Sequence, residues 1–234
     1  VKALPGGSVI LGSPQVFNPS LIVTPAGADL FASQFVVAYK VADNAGRAKI
    51  GTVDGTDITW SSTPSIFNVS ATEDITLAAL SPTTFVVVYK DYGNSGYPTA
   101  RVGTVSGTGT SATITYGTSG ILSTVQTNTI GAAALSGDRL VVVYNEYFGP
   151  TPHPNYACIG TVTGSGTGAT LTWGVSNEVH ANTSYSLAAA GLSGTQFVAA
   201  YYDDDDTDYG MAKVGTVDGV GAAAGITWGN GGET

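Results

Sequence analysis

An all-β fold built from tandem four-stranded antiparallel units is what the sequence predicts, and three observations carry it. The tripeptide Gly-Thr-Val recurs at Gly51, Gly103, Gly160 and Gly215, spaced 52, 57 and 55 residues apart. Upstream of each copy an apolar run closes on tyrosine, at residues 35–39, 85–89, 140–144 and 197–201. Downstream of each stands a third anchor: Ile58-Thr59-Trp60, Ile114-Thr115-Tyr116, Leu171-Thr172-Trp173 and Ile226-Thr227-Trp228. Three anchors kept in order over four copies mark internal repetition. A repeat of this length is one supersecondary unit that cannot bury its own apolar faces and needs its neighbours.

The second copy illustrates the elements. Residues 75–80 form strand a, and the turn at 81–84 contains Pro82. Residues 85–90, rich in β-branched side chains, form strand b. After a longer loop, residues 99–105 form strand c. Ser106-Gly107-Thr108-Gly109 then turns the chain into strand d, 112–116, a hairpin signal. Alternation along strand b puts Phe85, Val87 and Tyr89 on one face and Val86 and Val88 on the other. Both faces are apolar, so the sheet expects cover on both sides. No segment holds a helical period.

A four-stranded antiparallel unit of about 50 residues, covered on both faces, is what a β-propeller blade requires. Small residues in strand a (Ala78-Ala79, Ala132-Ala133-Ala134, Ala188-Ala189-Ala190) suit a crowded inner ring. Immunoglobulin-like sandwiches need about 100 residues per unit and fit less well. The blades run over residues 13–62, 63–117, 118–174 and 175–229, with an N-terminal segment 1–12 and a tail 230–234. Ser8-Val9-Ile10-Leu11-Gly12 reads as an additional strand d, and Val16-Phe17-Asn18 matches Ile66-Phe67-Asn68. Five d strands therefore face four a–b–c sets. Three readings follow: a four-bladed ring with an added edge strand, part of a longer array, or a strand that pairs with a neighbouring molecule.

Composition narrows the function classes. The chain has 234 residues, of which 8 are basic and 17 acidic, for a net charge of −9. That acidity argues against binding to a nucleic-acid backbone. No apolar run approaches the roughly 18 residues of a membrane-spanning helix. The single cysteine, Cys158, excludes an intramolecular disulfide. The first residue is Val and no leader pattern precedes the repeats, which is the expectation for a mature or excised chain. Two glycosylation sequons, at Asn68 and Asn182, join the Thr/Ser/Gly richness in predicting a secreted or surface location.

Candidate sites gather in the b–c loops, residues 41–46, 91–98, 145–156 and 202–210, which vary most between copies and share a face with the two sequons. Tyr92, Tyr97, Tyr147, Phe148, Tyr156, Tyr202 and Tyr209 lie there. Such aromatics offer ring faces and polar tips to a sugar, or cap the ends of the core. In the run 203–208, Asp204, Asp206 and Asp208 alternate with the oxygen spacing of a calcium loop. However, Gly210 falls one place late and no downstream bidentate Glu follows. Cys158 occupies the position of Lys49, Arg101 and Lys213, which predicts a solvent-facing edge residue, with the basic residues pairing to Asp91, Asp203 or neighbours across the b–c hairpin. His153 and His180 stand in different units and supply no metal triad or nucleophile–base pair. Nucleotide-binding loops and zinc-protease motifs are missing, and no carboxylate pair is singled out.

The pattern V-V-V-Y-x-D…A-R-V-G-T-V-x-G-T…I-T-W-G resembles tandem β-propeller repeats of secreted and surface proteins, over residues 8–229. The resemblance implies the propeller fold and little about function, since propellers host lectins, enzymes and scaffolds alike. The expected role is a non-enzymatic extracellular structural or adhesive module, including the repeating subunit of a surface filament. The alternative is a glycan-binding lectin using the aromatic loops. Calcium is the one cofactor considered. Self-association and glycans are the partners considered.

Overall fold

The computed structural model describes residues 12–147, 149, 152–204 and 209–229. These form nineteen strands in four antiparallel sheets. The first sheet contains β1 (Ile22–Asp29), β2 (Gln34–Val41), β3 (Gly46–Asp54), β4 (Asp57–Trp60) and β5 (Ser65–Asn68). The second contains β6 (Thr72–Ser81), β7 (Thr84–Asp91), β8 (Tyr97–Ser106), β9 (Thr113–Tyr116) and β10 (Gly120–Ile121). The third contains β11 (Ile130–Ser136), β12 (Arg139–Asn145), β13 (Asn155–Thr163), β14 (Thr170–Trp173) and β15 (Asn177–His180). The fourth contains β16 (Ser184–Gly191), β17 (Gln196–Asp203), β18 (Gly210–Asp218) and β19 (Gly225–Trp228).

Each sheet is a meander whose second strand is the apolar run and whose third ends on Gly-Thr-Val. The register is constant. Phe35 faces Gly51, Phe85 faces Gly103, Leu140 faces Gly160 and Phe197 faces Gly215. In three sheets the phenyl ring lies over the glycine so closely that a Cβ would overlap it. Glycine is therefore required there by the facing ring, which recovers the packing area that a strand glycine forfeits.

A short fifth strand, which the sequence reading treated as loop, follows the fourth in three sheets. β5 pairs with β3, β10 with β8 and β15 with β13, along the half of the third strand that the fourth leaves open. These strands are two to four residues long, too short to show alternation. They lead the chain across to the next sheet.

The sheets pack face to face in chain order. Call the face toward the following sheet forward and the other backward. The forward residues Leu30, Val36, Ala38, Ala48 and Ile50 of the first sheet meet the backward residues Phe85, Val87 and Tyr89 of the second. Ala78, Leu80, Val86, Val88, Ala100 and Val102 meet Leu140, Val142 and Tyr144. Leu135, Val141, Val143, Ala157 and Ile159 meet Phe197, Ala199 and Tyr201. The first strands run close together at these junctions: a Cβ on Gly131 would sit 3.0 Å from the Ala188 Cα, and one on Gly191 would strike the Ala134 carbonyl. The alanine-rich strand a is small for this reason. Among the described residues no core cluster joins the fourth sheet to the first.

Candidate functional site

Two sets of polar contacts lock neighbouring sheets, one at each end of the strands. At the c–d end the threonine of Gly-Thr-Val is the locking residue. Thr52, Thr104 and Thr161 each accept, through Oγ1, the N–H of a glycine in the following sheet's c–d turn. The donors are Gly109 at 2.8 Å, Gly166 at 2.8 Å and Gly221 at 3.2 Å. Each donor glycine opens a single 3-10 turn at positive φ. The first sheet's turn, through Gly55, is four residues shorter and contains no such turn.

At the b–c end each loop is tied to the sheet that follows. Thr72 N–H donates to the Asn44 carbonyl, Thr127 N–H to the Gly96 carbonyl, and His153 N–H to Thr183 Oγ1. Lys40 lies 3.5 Å from Glu73, and Lys90 donates to Asn128 at 3.0 Å. The densest buried polar cluster sits between the third and fourth sheets. There Asn155 donates to Ser184, His180 Nε2 lies 3.3 Å from Asp203 Oδ1, and the His153 ring stacks on Tyr147 at 4.5 Å. His153, Asn155, Thr183, Ser184 and Asp203 are all buried. The sequence reading kept the two histidines apart; the junction brings both to one inter-sheet seam.

The predicted aromatic residues are distributed rather than convergent. Tyr92, Tyr147 and Tyr209 are exposed, one on each of the second, third and fourth sheets. Tyr92 donates to Glu73 at 2.9 Å and lies beneath the Lys90 ammonium. Tyr156 stacks against Tyr144 at 5.9 Å, and Tyr97 and Tyr202 are half-buried. Phe148 lies outside the described residues. A cleft of about 360 Å³ at this end is lined by Asn18, Ser20, Tyr39, Asp43 and Arg47, none of them a predicted ligand-binding residue. Within it, hydrogen bonds from the Arg47 guanidinium hold the Asp43 carboxyl down at about 2.

Cys158 corrects the sequence reading. It is 1% exposed and packs in the core between the second and third sheets, where burial pushes its thiol up to about 11. Its Sγ lies 3.3 Å from the Gly174 carbonyl oxygen. Two of the three basic residues at this position, Arg101 and Lys213, are likewise turned toward the backbone and not toward Asp91 or Asp203. Arg101 donates to the carbonyls of Phe67 and Gly117, and Lys213 to that of Val179. The position therefore serves carbonyls at the mouth of the inter-sheet seam, and a thiol can occupy it.

Of the proposed calcium ligands, Asp204 is exposed, with its N–H on the Thr183 carbonyl, while Asp206 and Asp208 lie outside the described residues. Among the described residues no three His, Cys, Asp or Glu side chains are grouped as a metal site. Asn68 is buried, and its amide Nδ2, the atom a glycan would take, donates to Thr72 and Asp91. Asn182 is exposed. Residues 8–11 of the surplus strand lie outside the described residues. Gly12 is described and closes against the Thr56 carbonyl as Gly117 closes against Ala169 and Gly174 against Ala224.

No helix among the described residues is long and apolar enough to cross a membrane. The chain matches no protein-family model, and no curated protein matches it.

The most prominent unfilled feature is at the ends of the stack. Leu192, Val198, Ala200, Ala212 and Val214 occupy in the fourth sheet the positions of the forward residues buried in the other three. Here Leu192 is 60% exposed and Val214 43%. At the other end, the backward face of the first sheet carries Phe35, Val37, Tyr39 and Trp60, partly covered by Phe17. The Phe17 ring lies 5.2 Å from Tyr39 and 5.4 Å from Trp60.

Proposed function

We propose that this chain is a non-enzymatic structural module of the β-propeller type, working outside the cell or at its surface and built to associate with sheets like its own. The observation that carries this reading is the forward face of the fourth sheet, which is uncovered among the described residues. It keeps the apolar residues that its three counterparts bury, and a face of that kind marks an interaction site. Radial packing of blades is supported by the adjacent alanine-rich first strands and by sheets that are apolar on both sides. The chemistry of the loops points the same way, since the Lys90 ammonium, the His153 N–H and the Asn155 amide at the b–c end each bond to the following sheet or the chain leading into it.

Electron microscopy of the purified chain tests this reading. Rings or extended arrays are the expected result, and isolated four-sheet particles at every concentration would contradict it. The exposed Tyr92, Tyr147 and Tyr209 favour a second reading, a lectin. That reading requires sugar binding on a glycan array that is lost on Tyr92→Ala or Tyr147→Ala.

A further inference from the structure

Lys90 is 5% exposed, yet among the described residues no carboxylate lies within 4.0 Å of its Nζ. A lysine is almost never buried that far without a charged partner. Its Nζ lies instead 3.0 Å from Oδ1 of Asn128, in the chain leading into β11, and 5.0 Å from the centre of the Tyr92 ring. The first sheet shows the ordinary form of this contact. Lys40 stands at the same repeat position in β2 and meets Glu73 at 3.5 Å as an ion pair. Glu73 precedes Ile75 by two places, as Asn128 precedes Ile130. At the second seam a carboxamide has thus replaced the carboxylate. A carboxyl group is still at hand, on Asp74. It follows Glu73, the cross-strand partner of Lys90, inside the bulge of β6. Its φ of 49° is a left-handed conformation that such residues hold only under constraint. The same bulge carries Thr24 in the first sheet and Ser186 in the fourth, so of the three only the second presents a carboxyl. Burial raises the Asp74 carboxyl above its ordinary range, and Lys90 is the strongest of the charges acting on it.

We infer that Lys90 and Asn128 join in an isopeptide bond, formed by the chain on itself, that ties the second sheet to the third. Lys90 Nζ gives one proton to the Asp74 carboxylate and attacks Asn128 Cγ. The Nζ–Cγ bond forms and the Cγ–Nδ2 bond breaks. Nδ2 takes up two protons, one returned by Asp74 and one shed by Nζ on acylation, and leaves as ammonium. A lysine ammonium and a carboxamide thus become one secondary amide and one ammonium ion, with no oxidant or activating group consumed. The fold supplies what this transfer needs. The amine and the amide are held at contact distance, which removes the entropic cost of bringing them together. A carboxyl raised by burial can hold a proton and give it back. Asn128 is exposed, so the ammonium released has a way out to solvent. The product also removes a buried charge that has no counter-ion. The bond closes a span of 38 residues in a chain whose single cysteine can form no internal disulfide, and restricts the unfolded chain in the same way.

Mass spectrometry of the purified, folded chain is the test. The intact mass should fall about 17 Da below that of the sequence, the loss of one ammonia. A succinimide at any asparagine gives the same loss, so trypsin locates the bond. Acylated Lys90 resists cleavage, and the expected product is residues 50–101 joined to residues 102–139, while Lys40 is cut as usual. Lys90→Arg and Asp74→Asn should each restore the full mass, the second with a residue that tolerates positive φ. A native chain of full mass that releases 50–90 and 91–101 as separate peptides would overturn the inference and leave the structural role standing. A loss that persists in Lys90→Arg would overturn it as well. A cross-linked peptide that persists in Asp74→Asn would overturn the part given to Asp74.

Discussion

Gly103 shows how one residue type serves the repeat. Its missing side chain leaves the space that the Phe85 ring fills, so Gly103→Ala forces the ring or the strand to move. Overpacking of this kind costs about 1–3 kcal/mol. Urea unfolding should show that loss, and an unchanged midpoint would mean the ring has room to spare. Cys158 makes the opposite lesson. In sequence it stands among Lys and Arg and reads as exposed, but those residues extend to backbone carbonyls at a seam, and the shorter thiol stays inside it. A thiol raised to about 11 is almost wholly protonated at pH 8 and reacts as the unfavoured form. An aromatic disulfide reagent should therefore label Cys158 only in denaturant, and rapid labelling of the native chain would contradict its burial.

At the scale of elements, what the sequence makes legible is whatever repeats with enough length to show a period. Strands b and c announce themselves through alternation and through Gly-Thr-Val. The observed β7 (Thr84–Asp91) and β8 (Tyr97–Ser106) extend the expected 85–90 and 99–105 by only one or two residues at each end. The fifth strands β5, β10 and β15 escape notice because two to four residues cannot display alternation. They are defined by the strand they pair with. The c–d turns escape for another reason. Gly-x-x-Ala reads as a loop, and its role as donor to the preceding sheet's threonine depends on a partner about 60 residues away.

These staples can be tested singly. Thr104→Val removes the half-buried acceptor of the Gly166 N–H and should cost about 0.5–1.5 kcal/mol. Thr216→Val, at the equivalent place in the fourth sheet, has no following turn among the described residues and should leave the monomer's stability unchanged. Equal effects in thermal unfolding would show that the staple is not what the threonine contributes.

For the whole molecule, stability and association draw on one interface used repeatedly. Forward residues of one sheet and backward residues of the next form each seam, so the four described sheets make three seams, and the forward face of the fourth is uncovered among the described residues. The strand in excess that the sequence predicts at residues 8–12 falls almost wholly outside the described residues; Gly12 alone is described, closed against the Thr56 carbonyl. Low charge follows from the same plan. Faces that must meet other sheets on both sides leave little place for ionised groups, and five of the 17 acids fall together in sequence at 203–208.

The central claim is that the forward face of the fourth sheet, uncovered among the described residues, seats another sheet of the same kind. Analytical ultracentrifugation of the purified chain beside Val214→Lys, which places an ammonium on that half-exposed face, addresses it most directly. The account predicts association that grows with concentration and is weakened by the substitution. A chain that stays monomeric at every concentration, or association that Val214→Lys leaves unchanged, would contradict it.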